Sequence, residues 1–231
     1  GIGFNGAMAE YVSVPNFRFG QYSAKLPDNM SYEIGATAEP LAVSLYGVQR
    51  VQPKPGDTVV VIGLGVIGLG IIQVLRALGV KQIIASGRRA SRIKLAKEGG
   101  AVAVVDSDKE DVVPLVKKLT NGKGADIVFE CAGWESTFQQ SIAAVHKGGK
   151  VEIVGIYEVP FTWSPSVLVS NDIDLIGCGL RWDIPGAIDL MRSGKVDMQP
   201  YVTHSFPLEE IKKAFDAALK DPDAVKVMVK P

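Results

Sequence analysis

Only two cysteines and two histidines occur among the 231 residues. A disulfide-stapled scaffold is therefore excluded, and no Cys-x-x-Cys or His-Glu-x-x-His metal motif is present. Cys131 and Cys178 each fall in an apolar, strand-like run and read as small core residues of a reduced, intracellular protein. Neither sign of charge is in excess, with 25 basic and 25 acidic side chains. Composition thus makes no electrostatic case for nucleic acid or an anionic membrane as partner. No uninterrupted apolar run reaches membrane-spanning length, and no signal peptide opens the chain. The expectation is a cytoplasmic protein. Repeats and low-complexity segments are missing too. Hydrophobic residues make up 47%, which excludes a disordered chain and supplies a real core.

The chain opens on Gly1 rather than Met, in GIGFNGAMAEYVSVP, as a processed product, an expressed piece or a fragment would. From Thr58 to Gly177, short apolar runs alternate with helical patterns, which predicts a parallel sheet covered on both faces. Strands are expected over 58–62, 82–86, 103–105, 126–130, 151–156 and 173–178. Helices are expected to carry Ile71, Ile72, Leu75 and Leu78; Ile93, Leu95 and Ala96, with Ser91 as a candidate cap; Val112 to Leu119; and Phe138, Ile142 and Val145. Six parallel strands with crossovers define an α/β fold of the doubly wound, Rossmann type. The flanks hold an extended piece (Ala9–Pro15), a helix over 36–43, helices over 184–191 and 209–219, and a strand over 225–229. Neither flank can bury a core alone, so the two are expected to form one second domain that the Rossmann unit interrupts.

The strongest chemical signal is Gly63-Leu64-Gly65-Val66-Ile67-Gly68. The pattern sits between a β-branched strand and an amphipathic helix, the context in which it grips a diphosphate. Gly63 allows the tight turn, Gly65 lets backbone approach the pyrophosphate, and Gly68 lets the helix close on the strand. The helix start, at Val66 and Ile67, then presents amides and the positive end of its dipole. About 20 residues on, where NAD binding places a carboxylate, the chain has Ser86-Gly87-Arg88-Arg89. A small residue leaves space there, and two guanidinium groups suit the 2′-phosphate of NADP, with Arg92 one helical turn beyond Arg88. NADP is favoured over NAD; the alternative is a solvated arginine pair. Glu130 lines the adenosine side or merely ends its strand. His146, at a helix end, reads as a surface residue and His204 as structural.

Several ordered stretches carry a resemblance: AEYVSVP, KLPDNMSYEIGATAEPLAVSLYGV, the glycine turn, ECAG (Glu130 to Gly133), KGGKVEIVGI and VTHSFPLEEIKKAF. From Gly6 to Pro231 the chain resembles the zinc-dependent medium-chain dehydrogenases/reductases, in the sorbitol, butanediol and threonine dehydrogenase branch. The resemblance implies a GroES-like catalytic domain assembled from residues 1–45 and 181–231 around a coenzyme domain at 46–180. It implies interconversion of a secondary alcohol or polyol with its ketone, hydride passing to or from the coenzyme with help from zinc. Glu39 then matches the glutamate that ligates the zinc or holds its water, and Arg181 matches an arginine near the substrate. Cys131, Ala132 and Gly133 are implied on the coenzyme. Gly155, Ile156, Gly179 and Leu180 match backbone positions flanking the nicotinamide. A homodimer or homotetramer through the Ile173–Cys178 edge strand is also implied.

The departures are specific. The cysteine and histidine zinc ligands of such proteins, and their four-cysteine lobe, lie upstream of the position of Gly1. Tyr46 stands where a histidine is often seen. Alternatives are a non-catalytic nucleotide-binding module or a zinc-independent reductase.

Overall fold

A computed structural model describes residues 5–17, 23–179 and 181–231. Along the chain come α1 (Tyr32–Gly35), α2 (Ala38–Val51), β1 (Thr58–Ile62), α3 (Val66–Ala77), β2 (Gln82–Gly87), α4 (Ala90–Gly99) and β3 (Ala103–Asp106). Then follow α5 (Val112–Leu119), β4 (Ala125–Glu130), α6 (Glu135–Ala144), β5 (Val145–Ile153), α7 (Ser166–Asn171) and β6 (Asp174–Gly177). The chain closes with α8 (Ile184–Arg192), β7 (Val202–Pro207), α9 (Ile211–Lys220) and β8 (Lys226–Lys230), with short 3-10 turns at Gln199–Tyr201 and Leu208–Glu210.

Six strands pair in parallel in the order β3-β2-β1-β4-β5-β6, the doubly wound order. Alternation along each strand sends side chains to two cores. Val59, Val61, Ile83, Ala85, Ile127 and Phe129 meet α2, α3 and α8 on one face. Val60, Ile62, Ile84, Val105, Val128 and Val151 meet α5 and α6 on the other. Helix α3 is apolar nearly all round because α2 covers its outer side. The two approach closely at Gly70, where an added Cβ would meet the Ser44 hydroxyl at 2.6 Å. That hydroxyl lies 2.9 Å from the Ile67 carbonyl and 3.0 Å from that of Pro40.

Several elements differ from expectation. The helix expected over 36–43 continues to Val51, so the expected 45/46 boundary falls inside one helix. Gly47 does not end it; the missing side chain makes room for Cys178 and Val154. Strand β5 starts at Val145, so His146 lies in a strand rather than at a helix end. Ser91 does not cap α4, which starts at Ala90, with Arg89, a residue at φ 71, in the cap position two residues before Ser91. Instead the Ser91 hydroxyl is buried inside the helix without a partner. The cysteines lie just past the ends of β4 and β6, half-buried, rather than within strands. The stretch 202–207 is a strand, paired parallel with β8 in a second, two-stranded sheet. Residues 9–15 join no sheet and leave Tyr11 and Val14 exposed.

Candidate functional site

Strands β2 and β4 leave β1 on opposite sides, and a cleft of about 590 Å³ opens where their carboxyl ends diverge. The glycine turn forms its floor. Gly63 sits at φ 103, donates its N–H to the Ser86 carbonyl at 2.8 Å, and abuts the Cys131 backbone. A side chain there would need both a left-handed backbone and the space of Cys131. Gly68 is pressed onto the Gly63 carbonyl, so any side chain would lift α3 off the turn. Gly65 is different: nothing lies within 4 Å of where its Cβ would stand. It caps α3 with no side chain, so no capping group claims the first-turn amides at Val66, Ile67 and Gly68.

One wall comes from β2 and α4. Ser86, Gly87, Arg88, Arg89 and Arg92 all line it. Gly87 leaves no vacancy, because Leu64 fills the place of its side chain with Cγ 2.6 Å from the would-be Cβ. Its smallness serves the turn's packing, a correction to the expectation of free space. The three arginines are not equivalent. Arg89 donates to the Asp221 carbonyl at 3.4 Å and Arg92 to that of Ala224, so the C-terminal segment holds both. Burial, with Arg89 and Arg88 nearby, pulls the Arg92 guanidinium below its ordinary pKa. Arg88 is exposed to the cleft.

The facing wall is the loop Cys131–Trp134 and the start of α6, and Glu130 builds it. This carboxylate is fully buried and lines nothing. It accepts from the Ala132 and Gly133 amides at 2.9 and 3.0 Å, the Thr137 hydroxyl at 2.7 Å and the Tyr157 hydroxyl at 2.8 Å. Gly133, at φ 74, packs on Ile156 and Gly155. Cys131 and Ala132 line the cleft, whereas Val66, Ile67, Gly68, Gly133, Gly155, Ile156 and Gly179 stand outside its lining. Trp134 lines it as well, a residue that no sequence motif marked. Leu180 lies outside the described residues.

The metal expectation meets a poor donor set. Glu39 is exposed in the first turn of α2 and accepts from the Trp182 indole N–H at 2.8 Å. Arg181 is exposed beside it in sequence. His146 Nε2 lies 3.0 Å from Asp126 Oδ1, and His204 Nε2 lies 3.2 Å from Asp221 Oδ2. Burial pushes the Cys131 thiol well above its usual range and that of Cys178 up to about 11, so neither is a ready thiolate. Among the described residues no group of three His, Cys, Asp or Glu side chains converges. A catalytic zinc takes about three protein ligands. The described residues do not fit one.

Strand order, glycine turn and cleft define a dinucleotide-fold α/β protein. A family profile described as zinc-binding dehydrogenase matches residues 66–193. The chain belongs to that family. It is 36% identical to (R,R)-butanediol dehydrogenase of Bacillus subtilis over 99% of its length and 65% of the relative's. It is 31% identical to sorbitol dehydrogenase of the same organism over 98% of its length and 64% of that protein's. The chain therefore spans about two-thirds or less of these curated relatives. A solved zinc-binding dehydrogenase of Sinorhizobium meliloti, bound to NADP, superposes with a TM-score of 0.78. It is 30% identical, over 89% of this chain and 61% of that one. Among the described residues no helix is long and apolar enough to cross a membrane.

Proposed function

We propose that this chain binds NADP(H) and serves an oxidoreductase that interconverts a secondary alcohol or polyol with its ketone. The observation that carries the reading is the cleft at the strand crossover, with Gly63–Gly65 on its floor leading into the uncapped amino end of α3 and Arg88 on its wall. A diphosphate laid on the α3 amino end meets main-chain donors and the helix dipole. The ribose then reaches the β2 wall, where Arg88 is the guanidinium left for a 2′-phosphate. Bound there, the coenzyme supplies hydride exchange at its nicotinamide ring. Glu130 keeps the opposite rim in place for it.

The alcohol chemistry and the zinc rest on the family. A zinc belongs to this reading only with ligands other than those described, and so does the assignment of Glu39 and Arg181 to the reacting end. Nucleotide binding without catalysis is a second reading, favoured by the engagement of Glu39 with Trp182. Turnover of polyols by the protein in NADP⁺ decides between them. Pairing of two copies through the β6 edge, in a cytoplasmic dimer or tetramer, completes the proposal. An unpaired strand edge of this kind seeks a partner. Sedimentation that shows only monomers over a wide concentration range ends it.

The coenzyme test is calorimetric. NADPH is expected to bind more tightly than NADH. Arg88→Ala is expected to weaken NADPH by roughly tenfold, one charge-assisted contact, while leaving NADH within about twofold. Equal or tighter NADH binding by the unaltered protein overturns the NADP assignment.

A further inference from the structure

We propose that Trp134 is the stacking surface for the base of the bound nucleotide. The inference rests on the dinucleotide reading above and assigns a residue that neither the glycine motif nor the arginine pair reveals. Its starting point is an anomaly of exposure. Trp134 is 59% exposed, although it sits beside a dense aromatic group. Phe138 meets Trp163 edge-on at 4.8 Å and Phe161 at 5.2 Å, and Tyr157 meets Phe161 at 5.6 Å. Among the described residues Trp134 takes no part in those ring contacts. Trp134 lines the cleft instead.

The second observation is rigidity. The backbone of Trp134 is bolted to the buried Glu130 carboxylate through one intermediary. Its N–H donates to the Thr137 hydroxyl at 3.2 Å, and that hydroxyl donates to Glu130 at 2.7 Å. The two residues before it hang from the same carboxylate. An exposed indole on a floppy loop is unremarkable surface, whereas one whose main chain is fixed by a buried anchor is a preorganised platform. A platform of this kind lowers the ordering cost of binding a flat ring.

Position gives the ligand class. The cleft has the diphosphate floor at its centre, Arg88 on the β2 side, and Trp134 on the β4 side. Of the parts of a dinucleotide, only the two bases present a π-face able to cover an indole, and the base next to the 2′-phosphate, on the Arg88 end, is the purine. Ser136 and Gln140 line the same wall and offer hydrogen-bonding groups to the base edge. The purine end of the coenzyme therefore lies on Trp134, with the ribose bridging toward Arg88.

ADP is the decisive probe, because it carries base and diphosphate without nicotinamide or 2′-phosphate. Titrated calorimetrically into the full chain, ADP is expected to bind Trp134→Ala roughly tenfold or more weakly than the unaltered protein. Trp134→Phe, which keeps a π-face, is expected to recover most of that loss. Inorganic pyrophosphate is expected to bind all three alike. Arg88→Ala gives the converse pattern, with ADP unchanged and NADPH weakened. Trp134→Ala that binds ADP within about twofold of the unaltered protein overturns the stacking role and leaves the nucleotide reading standing. An unaltered protein that binds neither ADP nor NADPH overturns both. Circular dichroism confirms that the variants are folded, as expected for a change at an exposed site.

Discussion

Two buried glutamates lie on neighbouring strands and have opposite fates. Glu130 ends β4 and Glu152 sits in β5, and both are fully excluded from solvent. Glu130 is met by four donors from the rim of the cleft. Glu152 lies between Phe129 and Ile176 in register, and neither carboxylate oxygen has a partner. Burial pushes its carboxyl up to about 7, with Arg50 pulling the other way. A buried carboxylate is thus tolerated in two ways, by saturation with donors or by approaching neutrality. Only the first organises anything. Glu130 shapes the functional rim, and Glu152 is a liability of the sheet.

The contrast breaks hardest at Glu130. Glu130→Ala strands two amides and two hydroxyls without an acceptor, and a loss of about 3–5 kcal/mol is expected in urea unfolding. Glu152→Met is expected to act in the other direction. Its carboxyl pKa is raised in the folded state, so its contribution is fully favourable below the ordinary 4.5 and fades as pH climbs through about 7. The shift corresponds to about 3 kcal/mol, so the unaltered protein should lose stability between pH 5 and 8 while the methionine variant stays flatter and is the more stable at pH 8. A variant with the same pH slope as the unaltered protein removes Glu152 as the source. Tyr157→Phe takes away one of four donors to Glu130 and should cost about 1–1.5 kcal/mol. Ser91→Ala is the smallest change. It deletes a buried hydroxyl that has no partner and should gain about 0.5 kcal/mol in the same assay.

The sheet was legible in the sequence where strands are β-branched and buried on both faces, as in Thr58–Ile62. Legibility failed where local pattern and tertiary context part ways. Val202–Pro207 mixes His, Ser and Thr with two apolar residues and ends on Pro, so no period-2 signal announced β7. Val145 read as helix because it follows Phe138 and Ile142 at helical spacing, with His146 at the helix end; the strand starts there through an irregular pairing with Ala125. Ser91 is a better cap than Arg89 by chemistry, yet the chain turns two residues earlier. At the site, the glycine turn was readable because strand, turn and helix are contiguous. Trp134 and the ties of Arg89 and Arg92 were not. Those ties span 132 residues each, and their acceptors are main-chain carbonyls, which no residue identity encodes. The carboxylate of His204 likewise arrives 17 residues downstream.

The tethering of Arg89 and Arg92 to the carbonyls of Asp221 and Ala224 has a mechanical reading. Because the acceptors belong to the backbone, side-chain replacements in that segment leave the tethers intact, and only displacement of the tail cuts them. Two of the three arginines are held in this way, and among the described residues Arg88 carries no such tie. The Arg89 and Arg92 guanidinium groups are thereby fixed along the β2 wall, oriented by residues 221–224 rather than by the cleft itself.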